Sequence, residues 1–129
     1  MDRAPIPDDV KRFVLISIPS VPYLEAMLLL RDGPANAWNS KQVAQRLYMS
    51  EKAADELLTQ LHEAGIASAI SRAPPLYCYQ PSSGDLLQMI DRLAETYAKN
   101  LVDVTNLIHS KTSKKAQQFA DAFKWRKEP

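Results

Sequence analysis

Residues able to do covalent or acid–base chemistry are few in this 129-residue chain, and none is spaced for it. The two histidines, His62 and His109, fall on different predicted helices, and nothing in the sequence brings them together. Each reads as a surface or hydrogen-bonded structural residue. Cys78 is the single cysteine, so it has no internal disulfide partner and no companion thiol for a metal site. It reads as a small packing residue in a strand. There is no glycine-rich phosphate loop, no His-rich metal spacing, and no Ser or Cys beside an activating base. The expectation is a non-enzymatic protein with no metal and no cofactor.

What the sequence does space regularly is charge, and the chemistry of spaced charge is recognition. Between Ser50 and Ala64 the apolar residues Ala54, Leu57, Leu58 and Leu61 recur at helical period. The opposite face then carries Glu51, Lys52, Asp55, Glu56, Thr59 and Glu63, four carboxylates against one ammonium. Donors suited to phosphates or base edges are thinner: Lys41 and Arg46 on the preceding helix, Ser50, Lys52 and Thr59 on this one, and Arg72 on the next strand. Overall the chain has a formal net charge of +1, a poor surplus for neutralising phosphates. The cations are uneven. Residues 111–129 hold six basic and two acidic residues, against ten and thirteen in the rest.

The elements that must position these residues can be read from caps and periods. Residues 1–18 read as a loose N-terminal arm and a short helix opened by Asp8 and Asp9. A second helix runs from after Ser20 to Arg31, burying Leu24, Met27 and Leu28, with Leu30 as a further candidate. Asn39 and Gln42 make a capping box for a third, which carries Val43, Ala44 and Leu47 and stops near Tyr48-Met49. Ser50 caps the fourth, and Gly33, Gly65 and Gly84 sit at turns. Ile66–Arg72 and Leu76–Gln80 flank Ala73-Pro74-Pro75 as a small hairpin. From Ser82, with Asp85 as cap partner, a long helix to His109 carries a stripe of Ile90, Leu93, Tyr97, Leu101, Val104 and Ile108. A tail helix, turned at Lys111-Thr112-Ser113, sets Ala116, Phe119, Ala120 and Phe123 on one face. The fold class is mainly α with a β-hairpin wing, one compact domain divided into 1–18, 19–81 and 82–129.

The order of elements resembles the winged helix-turn-helix superfamily, in the MarR-like branch of bacterial transcription regulators. The likeness rests on Trp38-Asn39-Ser40-Lys41-Gln42-Val43-Ala44-Gln45-Arg46-Leu47 and on Ser50 through Leu61-His62-Glu63-Ala64-Gly65-Ile66. These are similar to the second helix and to the recognition helix entering the first wing strand, and the match covers about half the chain. The resemblance implies a DNA-binding transcription regulator that dimerises through the long helix after Ser82. It also implies a ligand space, for which Trp38, Tyr77, Tyr79 and Tyr97 are candidates, although the same residues serve equally as core.

Two functions are therefore expected. The first is a homodimeric regulator that binds DNA through Lys41, Arg46, Ser50, Lys52, Thr59 and Arg72, favoured by what this fold usually does. The second is a module without direct DNA contact, whose Glu51, Asp55, Glu56 and Glu63 dock on a basic protein partner. The acidic face favours it, because carboxylates are repelled by phosphates and steered toward cations. The dimer is expected through the 90–108 stripe, which exceeds what one tail helix covers. The apolar run Phe13–Ile18 is short, and Pro19, Pro22 and Glu25 interrupt its continuation toward Leu30. No membrane span is expected, and a cytoplasmic location is.

Overall fold

Helix ends are where this sequence determines its structure most directly, since each end must satisfy orphan backbone groups. The structure, a computed structural model, describes residues 5–111. It is mainly helical with a two-stranded antiparallel hairpin. In order come α1 (Asp8–Ser17), α2 (Val21–Asp32), α3 (Ser40–Leu47), α4 (Glu51–Glu63), β1 (Ala67–Arg72), β2 (Pro75–Tyr79) and α5 (Gly84–Lys99). A further helix, α6, covers residues 101–111. Ala116, Phe119, Ala120, Phe123 and the basic residues from Lys114 onward, where the sequence predicts a tail helix, lie outside the described residues.

The chain divides into two compact units, one formed by residues 22–94 and the other by residues 5–21 with 95–111.

In the 22–94 unit the expected caps form. The Asn39 side chain accepts from the Gln42 backbone N–H at 2.8 Å, and the Gln42 side chain accepts from the Asn39 N–H at 3.0 Å, fixing the start of α3. Ser50 Oγ accepts the Ala53 N–H at 3.0 Å and starts α4. At the other end of α4, the Gly65 N–H donates to the His62 carbonyl and the Ile66 N–H to the Leu61 carbonyl. This double closure needs a left-handed residue, and Gly65 supplies it with φ +76°. A side chain there would also meet Ser82 Oγ at 2.8 Å. α5 is capped by Ser83, whose Oγ accepts the Leu86 N–H, rather than by Ser82.

Met27, Leu30, Val43, Leu58, Leu61 and Leu93 are fully buried, each removal of such a side chain from water contributing about 1.5–3 kcal/mol. Strands β1 and β2 pair from Ala67 with Tyr79 to Arg72 with Pro75, with an irregularity at Ile70. Trp38 is bonded to Tyr77 through both backbone groups (2.7 and 2.9 Å), so the segment before α3 is tied to the hairpin. His62 Nδ1 lies 3.0 Å from the Ala67 carbonyl oxygen, which can only accept, so the ring donates from that nitrogen. This is the structural role expected of that histidine.

In the other unit, Val10 and Val14 on α1 and Ile18 just past its end recur four apart and are fully buried. Lys111 Nζ donates to the Ile18 carbonyl at 3.4 Å. The long helix expected to His109 is broken here. Asn100 belongs to neither α5 nor α6: its N–H donates to the Thr96 carbonyl while its own carbonyl accepts from Val104. Asparagine suits such a junction because its side chain competes with helical backbone bonds. Ile90, Leu93, Tyr97, Val104 and Ile108 are all buried within the single chain, and Leu101 alone of that stripe is exposed. Among the described residues no single helix is long and apolar enough to cross a membrane.

Candidate interaction surface

The helical period of α4 turns four apolar residues inward, and the rest of the helix is presented. Glu51, Lys52, Asp55, Glu56, Thr59 and Glu63 are all exposed, as both expected functions require. Their uses differ. Asp55 Oδ1 accepts the Ser40 hydroxyl at 3.1 Å, linking α4 to the first turn of α3, where a negative charge is favoured by the helix dipole. Glu51 lies in the first turn of α4 and is favoured there for the same reason. Glu56 and Glu63 have no such structural task on view and stand on the outer face.

α3 presents the opposite chemistry. Its exposed residues Lys41, Gln42, Gln45 and Arg46 comprise two cations and two amides, with no carboxylate anywhere in the helix. The Arg46 guanidinium stands 5.6 Å from the centroid of the Trp38 ring, a cation–π placement that orders the side chain. No ion pair engages it among the described residues. Of the other expected DNA contacts, Ser50 is occupied as the acceptor of the α4 cap, Lys52 and Thr59 are exposed beside the carboxylates, and Arg72 is exposed at the end of β1.

The turn between α3 and α4 holds a residue whose importance the sequence did not signal. Tyr48 is 96 % exposed and sits in the left-handed region at φ 56°, ψ 52°. Its N–H donates to the Ala44 carbonyl and closes α3. A bulky residue there carries backbone strain that glycine would not.

Of the four candidate pocket aromatics, Trp38 and Tyr77 are neighbours through their backbone bridge. Trp38 is buried against the hairpin and Tyr97 is buried in the other unit, while Tyr77 and Tyr79 are half-buried on β2. The Tyr79 hydroxyl is buried without a hydrogen-bond partner. Desolvation pushes its pKa up to about 12, with Asp91 adding to the rise and Arg31 opposing it. Arg31 and Asp91 form a 2.9 Å ion pair that joins α2 to α5. Cys78 is half-buried in β2, and among the described residues no group of three or more His, Cys, Asp or Glu side chains is placed to hold a metal ion.

Compared with known families and curated proteins, the chain matches no family model and no curated protein.

Proposed function

We propose that the 22–94 unit is a winged helix-turn-helix used as a protein-interaction module, with the outer face of α4 docking on a cationic surface of its partner. The order α2, α3, α4, β1, β2, α5 supports the winged-helix part, as does the Trp38–Tyr77 bridge that ties the hairpin to the start of α3. The continuous dimerisation helix that the MarR-like resemblance implies is interrupted at Asn100, so only the winged-helix arrangement is taken from that branch. The observation that carries the docking reading is the exposure of all four α4 carboxylates on the face that a groove-reading helix would turn to DNA. Bringing that face to phosphates costs Coulomb energy, whereas a basic protein surface gains from it and associates faster.

A second reading, direct DNA binding, is favoured by the exposure of Lys41, Arg46, Lys52 and Arg72 together. One pair of measurements separates the two. Affinity capture is compared between the wild-type chain and the triple variant Glu51→Lys, Glu56→Lys, Glu63→Lys, which leaves the Asp55–Ser40 link intact. A captured partner should be released by the triple variant and by salt. In parallel, anisotropy of a labelled random duplex should show no binding at low ionic strength. Duplex binding that weakens steeply with salt overturns the docking reading and establishes the second.

A further inference from the structure

An open cleft of about 360 Å³ lies beside α3, lined by Asn36, Ala37, Trp38, Gln42, Gln45 and Arg46. Its volume falls within the range of small-ligand sites, which begins near ~300 Å³. Every polar side chain on its wall is an amide, an indole or a guanidinium, and none is a carboxylate. Arg46 is held over the Trp38 ring without an ion-pair partner among the described residues. Gln42 is fixed by the capping box: its Oε1 accepts from the Asn39 N–H, which leaves the NH2 group as the end available to a ligand. The Trp38 indole nitrogen, in a residue only 7 % exposed, has no hydrogen-bond partner. Buried polar atoms are otherwise nearly always satisfied, so Trp38, whose ring lines this wall, keeps an unused indole donor that is itself shut off from solvent.

We infer that this cleft is a binding site for a small monocarboxylate carrying an amide, independent of the docking face of α4. A guanidinium ordered by stacking offers the planar fork that matches a carboxylate. One cation with neutral amides suits a single negative charge better than a phosphate dianion. The Asn36, Gln42 and Gln45 amides complement an amide on the ligand, since each can both donate and accept.

The test uses the full chain labelled with 15N and carrying Trp125→Phe, so that Trp38 gives the single indole N–H signal. N-acetylglycine is the probe, N-acetylglycinamide the uncharged control and inorganic phosphate the second anion. N-acetylglycine should shift the Trp38 indole signal and side-chain amide signals saturably, with a Kd on the order of 1 mM, as expected for so small a ligand. Arg46→Gln should weaken binding by about 10-fold or more, the usual loss when a hydrogen bond to a charged group is removed. Arg46→Lys, which keeps the charge but loses the fork, should fall between. The inference is overturned if no saturable shift occurs, if N-acetylglycinamide binds equally, if Arg46→Gln remains folded and binds like the wild type, or if phosphate alone produces the shifts. Unchanged N-acetylglycine binding in the Glu51/Glu56/Glu63→Lys variant is also expected, and its loss there would join the site to α4 and refute its independence.

Discussion

α3 and α4 are neighbours in sequence and packed on one another, yet their exposed faces are chemically opposite. α3 shows Lys41, Arg46 and two glutamines, whereas α4 shows Glu51, Asp55, Glu56 and Glu63 around a single Lys52. Both helices are built by the same rules, a capped N-terminus and an apolar stripe turned inward. The difference lies in the exposed residues, of which Asp55 and Gln42 also serve the fold. A polyanion lying across both would be attracted by one and repelled by the other at separations shorter than the ~8 Å screening length of physiological salt. The packing of α3 on α4 thus fixes where the two faces lie, and their surface charge sets which of them a charged molecule would tolerate.

The largest effect should come from breaking the packing that holds the two faces in register. Leu58 is fully buried on the inner side of α4, and Leu58→Ala should destabilise the chain by about 2–5 kcal/mol through lost burial and a residual cavity. Urea unfolding tracked by far-UV circular dichroism would measure it. A loss below about 1 kcal/mol would mean that α4 is not anchored through this residue.

Asn39→Ala attacks α3 alone. Both bonds of its capping box engage Asn39, and removing the side chain should cost about 1 kcal/mol. The comparison sharpens if the loss is confined to α3: hydrogen exchange should accelerate at Val43 and Ala44 amides while those of Leu57 and Leu58 keep their protection. Equal acceleration in both helices would show that they open as one unit.

How much of this contrast was legible in the sequence depends on whether a feature is local. The capping box of α3, the Ser50 cap, the inward stripe of α4 and the hairpin were all readable, because each is fixed by residues within a few positions of one another. The break at Asn100 was not. The apolar spacing continues through it from Tyr97 to Val104, and a period alone carries no sign of a single non-helical residue. Nor was the Trp38–Arg46 placement readable, since Trp38 precedes α3 and shares no helical period with Arg46. Tyr48 gave no signal because left-handed positions are marked in sequence by Gly or Asn, not Tyr. The assignment of the long stripe to a partner chain rested on equally indirect ground. A stripe shows that something covers it, not whether the cover is the same chain.

Tyr79 tests the support behind both faces. Its hydroxyl is buried and unpartnered, so Tyr79→Phe should leave stability unchanged or raise it by about 1 kcal/mol at neutral pH. The pH dependence has a definite sign. The folded-state pKa, pushed up to about 12, lies above the unfolded value of 10.0, so the folded chain holds its proton longer. Stability is unaffected by this group below pH 10.0 and falls as pH rises from there toward 12. The alkaline loss in the wild type should be shallower in Tyr79→Phe, as read from urea midpoints at a series of pH values. Identical alkaline slopes would mean that the phenol ionises freely in the folded state.

The smallest effect belongs to the joint between the two helices. Tyr48 is held at φ 56°, where an L residue with a Cβ is disfavoured by roughly 1–2 kcal/mol, and its nearly complete exposure means that no burial compensates. Tyr48→Gly removes that strain but loosens the unfolded chain by about 0.4–1 kcal/mol, so a net gain of about 0.5 kcal/mol is expected. Tyr48→Ala keeps the Cβ and should gain nothing. A rise in thermal midpoint for the glycine variant alone would assign the strain to the backbone. Equal midpoints for the two variants would show that the turn accommodates a side chain without cost. In that case the left-handed residue ends α3 without storing strain between the cationic helix and the anionic one.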